Sequence, residues 1–221
     1  TKPDLALLMA DEPCPAAGVF TQNVFCAAPV RFCKEQFEKS SGCPSYGTMQ
    51  AMCINSGIAN AATGQPGLDA CLKEAELVAD QLAVSPDDVL IASTGVIGVQ
   101  IPIQLFEQAL PQAADQLSVE GGADAAVAIM TTDLVAKECA VEIDGALLGF
   151  EGEAFHVGGM AKGSGMIMPN MATMIAVLTT DAPVKSPDLH ALLKEAVGAS
   201  FNKITVDSDT STNDTCIMFA Y

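Results

Sequence analysis

Leu68, Cys71, Leu72, Ala75, Val78, Ala79 and Leu82 recur at helical spacing, with acidic residues and lysine on the opposite face, which predicts an amphipathic helix over 68–82. Pro86 ends that pattern, and the apolar run 89–92 reads as a buried strand. Apolar stretches at 5–9, 19–21 and 49–54 predict further strands, with a short helix at 34–39 and a loop at 40–47 between the last two. A helix over 102–110 is expected to open on Pro102 in its first turn, and another over 123–130 to follow the break at Gly121-Gly122. The segments 139–143 and 147–150 flank Asp144-Gly145, two residues that tolerate positive φ, and so predict a hairpin. A glycine-rich loop follows, then a strand at 174–179, a helix at 189–200 and strands at 204–206 and 216–220.

Strands and helices mixed without strict alternation point to an α+β fold with sheets packed between helices. Half of the 221 residues are hydrophobic and 17% are charged, which excludes general disorder and supplies one large core or two modest lobes. No low-complexity linker divides the chain, and no unit of about 20 to 50 residues repeats. The apolar runs are interrupted well short of the roughly 18 residues a membrane span requires, and no charged segment followed by an apolar one opens the sequence. Neither a transmembrane helix nor a secretory signal is expected.

The net charge of −17 opposes binding to phosphate backbones, and no Lys/Arg cluster offsets it, so nucleic acid is not an expected partner. The lone arginine, Arg31, reads as a solvated surface charge. Eight cysteines form no C-x-x-C pair, and His156 and His190 stand far from them in sequence, so no metal site is expected. Contexts such as Met52-Cys53-Ile54 make the cysteines small core residues, reduced in a cytosol-like compartment. The sequon Asn213-Asp214-Thr215 would matter only in a secreted protein.

The candidate chemistry lies in Lys162-Gly163-Ser164-Gly165-Met166-Ile167-Met168-Pro169-Asn170-Met171-Ala172-Thr173-Met174, where a threonine precedes an apolar run. A threonine hydroxyl is a weak nucleophile that needs a base. Cleavage of the Ala172–Thr173 bond would free an α-amino group with a reference pKa of about 8 to serve as one. By spacing alone, a threonine that merely opens a buried strand is the commoner case. The order Lys162-Gly163-Ser164, with proline soon after, does not match a phosphate-binding loop, in which Gly-Lys-Ser/Thr opens a helix. With a free amine as base, the histidines read as ordinary polar residues. Residues 209–214, a dense polar run between strand-like segments, admit an active-site hydrogen-bond network, but a polar loop is the simpler reading and none is singled out as catalytic.

That segment closely resembles the autolytic region of the glutamate N-acetyltransferases, also called ornithine acetyltransferases, bifunctional acyl-transfer enzymes of arginine biosynthesis. Other phrases of the family stand in the family's order: Pro15-Ala16-Ala17-Gly18-Val19-Phe20-Thr21, Asn55-Ser56-Gly57 with Ala59-Asn60-Ala61, Ala92-Ser93-Thr94-Gly95-Val96-Ile97-Gly98, Ile129-Met130-Thr131-Thr132-Asp133, and Ile204-Thr205-Val206-Asp207 running into Asp209-Thr210-Ser211-Thr212-Asn213-Asp214. Two positions depart from the usual pattern, Ile58 where asparagine is common and Ser208 where glycine is. They bear on local geometry rather than on the nucleophile.

The resemblance implies layered β-sheets flanked by helices, similar to N-terminal-nucleophile enzymes, and a precursor cut into a first (α) chain of residues 1–172 and a second (β) chain from 173, here reaching 221. It implies an acetyl transfer from N-acetylornithine to glutamate through Thr173, with Thr94 and Gly95 as oxyanion donors and Thr131 and Lys162 contacting substrate. Thr132 and Asp133 stand beside them as neighbours or as a helix-end cap. No coenzyme or metal is implied, acetyl-CoA being a possible second acetyl donor. The α and β chains are expected to assemble as a heterotetramer, in the cytoplasm or, in a eukaryote, the mitochondrial matrix or plastid. Two readings stay open beside this one. An N-terminal-nucleophile aminopeptidase or amidase would pass the acyl group to water, and a chain incomplete at both ends, as this one reads against the family, would be an inactive fragment.

Overall fold

Two expected strands, 5–9 and 19–21, are the ends of one long strand, β1 (Leu5–Phe20). The polar Asp11-Glu12-Pro13 stretch hides the continuity, because the pairing with β2 (Tyr46–Ile58) shifts register between Met9 and Cys14. The extra residues on β1 are absorbed as a bulge rather than as a break. The computed structural model describes residues 2–166, 174–207 and 209–221, with the backbone alone at residue 148.

Between these strands α1 (Ala28–Ser41) begins with proline in its first turn and ends at Gly42, whose φ of 75° caps it in the left-handed region. It is longer than the 34–39 expected because Val30, Phe32, Cys33 and Phe37 form its buried face. After β2 come α2 (Gly64–Leu82), β3 (Val89–Val96), α3 (Ile103–Asp115) and α4 (Gly122–Ala128). The second half contributes β4 (Lys137–Asp144), β5 (Ala154–Lys162), β6 (Ile175–Thr180), α5 (Ser186–Ala199) and β7 (Thr215–Ala220). The α+β expectation holds: among the described residues, helices pack on a sheet of seven strands in the order β3-β2-β1-β7-β6-β5-β4.

Alternation along the central strands divides the core. Met49, Met52, Ile54, Leu90 and Ala92 join residues of α1 and α4 in one cluster, while Ala51, Cys53, Val89 and Ile91 join α2 and α3 in another. A third cluster sets Ala17, Ala176 and Cys216 against Leu189, Leu193 and Val197 of α5. Along α2 the observed face differs from the predicted one: Leu72 is exposed, and Glu74, expected on the polar side, is buried.

Three local expectations are corrected. Asp144-Gly145 makes no two-residue hairpin: Asp144 has φ −62° and accepts the Ala146 N–H, and residues 145–148 form a 3₁₀ turn. The strand antiparallel to β4 is therefore β5 rather than 147–150, and it takes in Gly158, Gly159 and Lys162, which the sequence places in a loop. Glycine is required there, since a Cβ on Gly159 would lie 2.3 Å from Leu178 Cδ2 and 2.8 Å from the Val177 carbonyl of β6. Residues 204–206 lie outside any strand, and Ile204 and Val206 are exposed. Among the described residues no helix is long and apolar enough to cross a membrane.

Candidate functional site

The C-terminal ends of the parallel pair β2 and β3 carry the first part of the site, in register Ser56↔Thr94 and Gly57↔Gly95. Gly95 has φ 134°, and a Cβ there would stand 2.2 Å from the Gly57 carbonyl carbon, so the two backbones touch where only glycine fits. Ser56 Oγ donates to the Ala128 carbonyl at 2.7 Å and ties β2 to the end of α4. Gly95→Ala is expected to cost on the order of 1–3 kcal/mol, read as a lower denaturant midpoint.

Lys162 ends β5 and is 3% exposed. Its Nζ donates to Thr94 Oγ1 at 2.9 Å and to Thr131 Oγ1 at 2.7 Å, joining β3, β5 and the segment after α4 through one ammonium group. Burial lowers its pKa, and the nearby Asp133 carboxylate works in the opposite sense. Because each threonine oxygen accepts from Nζ, each keeps its own O–H to donate elsewhere. A negative charge developing beside them would meet donors already fixed in place.

Asp133 supports this arrangement rather than capping a helix. Its carboxylate accepts from Lys137 Nζ, from the Gly163 N–H at 2.8 Å and from the Thr131 N–H at 3.4 Å. Burial opposes its ionisation, but these donors outweigh burial and hold the carboxyl below its ordinary range. Thr132 Oγ1 lies 2.5 Å from Ser164 Oγ, closing the same side.

The run after residue 210 is more than a polar loop. Asn213 Nδ2 donates to the carbonyls of Ala59 at 2.6 Å and Ser93 at 2.8 Å, and its Oδ1 accepts from Thr212 Oγ1 at 2.7 Å. Thr21 Oγ1 donates to the Ser211 carbonyl at 2.7 Å. Asp214, fully buried, accepts the Met174 N–H on Oδ1 at 2.9 Å, while its Oδ2 has no hydrogen-bond partner among the described residues. Burial pushes its pKa up to about 7, with the Met174 N–H, the Ser211 side chain and Lys162 pulling the other way. Sequence reasoning left these residues out of the site, and the one signal for them was a polar run between two apolar segments.

These elements surround a cleft of about 710 Å³ lined by Lys2, Ser56, Thr94, Gly95, Thr131 and Lys162 among others. Four of the residues singled out from the sequence therefore share one cavity. Ala172 and Thr173 lie outside the described residues, as does Ser208; the nearest described neighbour is Met174, whose carbonyl accepts from the Thr215 N–H at 3.0 Å. Ile58 packs its side chain against the α2/α3 cluster, and its carbonyl accepts from Asn55 Nδ2 at 3.0 Å. Both histidines sit away from the cleft, His156 beside Asp181 at 2.7 Å and His190 against the Tyr46 ring. Among the described residues no group of His, Cys, Asp or Glu is arranged to hold a metal ion. Burial pushes the thiols of Cys33 and Cys216 up to about 12, which makes them poor nucleophiles.

A family model, that of the ArgJ family, matches residues 1–221. The chain belongs to the ArgJ family. It is 52% identical over 218 residues to the arginine biosynthesis bifunctional protein ArgJ of Thermosynechococcus vestitus, covering 99% of this chain and 49% of that protein. This ArgJ-family chain thus spans about half the length of the curated relatives it matches. Its fold is similar to the crystal structure of ArgJ from Bacillus halodurans, with a TM-score of 0.66 and 36% identity over 76% of this chain and 83% of that one. It is also similar to the ornithine acetyltransferase of Mycobacterium tuberculosis solved in complex with ornithine, with a TM-score of 0.63 and 30% identity over 78% and 84% of the two chains. The N-terminal-nucleophile-like, layered architecture implied by the resemblance agrees with these neighbours.

Proposed function

We propose that the protein containing this chain transfers an acetyl group from N2-acetylornithine to glutamate through an acetyl-threonine intermediate on Thr173, after self-cleavage between Ala172 and Thr173. The observation that carries the reading is the buried Lys162 ammonium bridging the Thr94 and Thr131 hydroxyls in a cleft. That arrangement suits a reaction that builds negative charge on an acyl oxygen. Membership of the ArgJ family and the names of the relatives, one an arginine biosynthesis protein and one an ornithine acetyltransferase bound to ornithine, support the substrates.

In this scheme the freed α-amino group takes the Thr173 hydroxyl proton as Oγ1 attacks the acetyl carbonyl of N2-acetylornithine. The tetrahedral oxyanion is held by Thr94 and Gly95, a type of contact in which one donor typically contributes about 3 kcal/mol. Collapse expels ornithine, which takes the proton; the amino group of glutamate then attacks the acetyl ester, the Oγ1–acyl bond breaks, and the amine's proton passes by way of the α-amino group to Oγ1. In a chain of net charge −17, carboxylate-bearing substrates need a local cation, and the cleft offers Lys162 and Lys2. The double displacement balances without a coenzyme, and the word "bifunctional" in the relatives' names accords with acetyl-CoA as a second acetyl donor. The cut chains, 1–172 and the one that begins at 173, would remain associated as a heterotetramer. Eight free cysteines suit a reducing compartment, the cytoplasm or an organelle matrix.

The test supplies isotopically labelled acetyl on N2-acetylornithine to the full-length protein without glutamate. The peptide beginning at Thr173 is expected to gain one acetyl group and to lose it to glutamate when that is added. Label released as acetate at an undiminished rate, with glutamate unacetylated, would instead identify an amidase.

A further inference from the structure

N2-acetylornithine and glutamate share one feature next to the reacting nitrogen, an α-carboxylate on the carbon that bears it. Two bonds of about 1.5 Å each separate that nitrogen from the carboxyl carbon, so the group that receives the carboxylate must stand close to the donors that hold the acyl oxygen. We infer that Lys2 receives the α-carboxylate of both substrates, a role that rests on the reading of the cleft as an acetyl-transfer site.

Three charged residues line the cleft, Lys2, Asp4 and Lys162, in a chain whose acidic residues outnumber its basic ones by 27 to 10. Lys162 is largely committed, since it is buried and two of its three N–H donors go to Thr94 and Thr131. Lys137, close by, is paired with Asp133. Lys2 is exposed and forms no ion pair among the described residues, with Asp4 or any other carboxylate. One of its donors goes to the Met130 carbonyl, which leaves two for a ligand.

The Met130–Thr131 peptide fixes where that charge stands. Its carbonyl accepts from Lys2 Nζ, and its N–H donates to Asp133 Oδ2 at 3.4 Å. The Thr131 hydroxyl, on the next residue, accepts from Lys162 Nζ at 2.7 Å. Besides burial, Asp133 and Lys137, the Lys2 charge acts on the Lys162 ammonium. The segment that carries Lys2 is anchored on β2 as well, through the Asp4 carbonyl and the Ser56 N–H at 2.8 Å. A positive charge is thus held on the exposed side of the hydroxyl cluster, at the distance from it that an α-carboxylate requires.

The α-carboxylate is also the group that one fixed cation can read in both halves of the transfer. The far ends of the two side chains differ in sign, an ammonium on ornithine and a carboxylate on glutamate, so a cation placed there would favour one substrate and repel the other. At the α-position the carboxylate that departs with ornithine is replaced by that of glutamate.

The experiment measures kcat and KM of the full-length enzyme and of its Lys2→Met and Lys2→Arg variants with two matched pairs. The donors are N2-acetylornithine and N-acetyl-1,4-diaminobutane, the acceptors glutamate and 4-aminobutyrate; the second of each pair is the first without its α-carboxylate. Wild-type enzyme is expected to favour the carboxylate-bearing member of each pair in kcat/KM. Lys2→Met is expected to shrink both preferences about 10- to 30-fold, mainly through KM, and Lys2→Arg to keep most of them. Where an analogue is not turned over, its inhibition constant against the parent compound gives the same comparison. Preferences that survive in Lys2→Met, with all four compounds slowed alike or not at all, overturn the inference. A preference lost for glutamate alone overturns it too, by moving Lys2 to the far end of the side chain. A wild-type enzyme that moves no acetyl group from N2-acetylornithine to glutamate is the separate failure, of the acetyl-transfer reading itself and of the role of Lys2 with it.

Discussion

Lys162→Met is expected to lower acetyl transfer by about 100-fold, mostly in kcat, while leaving the protein folded. Methionine keeps the length and apolar stem of the side chain but removes the Nζ that donates to Thr94 and Thr131 at 2.9 and 2.7 Å. Both hydroxyls then lose the partner that fixes their orientation, and the developing oxyanion meets donors that must reorganise during the reaction. Stability is expected to hold because a buried ammonium, already disfavoured by desolvation, is replaced by an apolar group of similar size. Steady-state kinetics with N2-acetylornithine check this. A loss confined to KM would reassign Lys162 to ground-state binding of the substrate.

The second large effect concerns stability. Glu74 on α2 is buried against the α2/α3 cluster, and neither carboxyl oxygen has a hydrogen-bond partner among the described residues. Desolvation pushes its pKa from 4.5 up to about 8. Between those values the unfolded chain has released this proton while the folded chain retains it, so folding takes up a proton and stability falls as pH rises across the window. Glu74→Met is expected to remove that slope and to stabilise the protein on the order of 3 kcal/mol near pH 7, with the gain shrinking toward pH 5. Denaturant midpoints of both proteins at these two pH values test it. A gain equal at both would mean that packing, rather than the buried carboxyl, set the difference.

Glu74 also shows where the sequence misleads. Helical periodicity located α2 well but assigned Glu74 to the polar face and Leu72 to the apolar one, and the structure reverses both. Charge type forecasts exposure only on average, and tertiary packing decides each case. β3 was legible because it is apolar on both faces and buried along six consecutive positions. β5 was hidden because Gly158 and Gly159 carry no side-chain signal, their role being close approach to β6. Residues 204–206 look like a strand locally, but among the described residues no neighbouring strand pairs with them.

The site was legible to a similar extent. Thr94, Gly95, Thr131 and Lys162 were singled out by resemblance, since nothing in their local spacing brings together positions 68 and 31 residues apart. Their meeting depends on sheet order, which periodicity does not encode. Asn213 and Asp214 escaped for the same reason: a polar run flanked by apolar segments reads as a loop until the sheet buries it. Asn213 reaches across 154 and 120 residues to the Ala59 and Ser93 carbonyls, a contact invisible along the chain.

The central claim is that Thr173 becomes the first residue of a second chain. Intact mass and N-terminal sequencing of full-length wild-type protein and of Thr173→Ala test it most directly. Two wild-type chains, the second beginning at Thr173, together with an uncut and inactive variant, are the predicted result. A wild-type protein that transfers acetyl groups at full rate as a single uncut chain would contradict it.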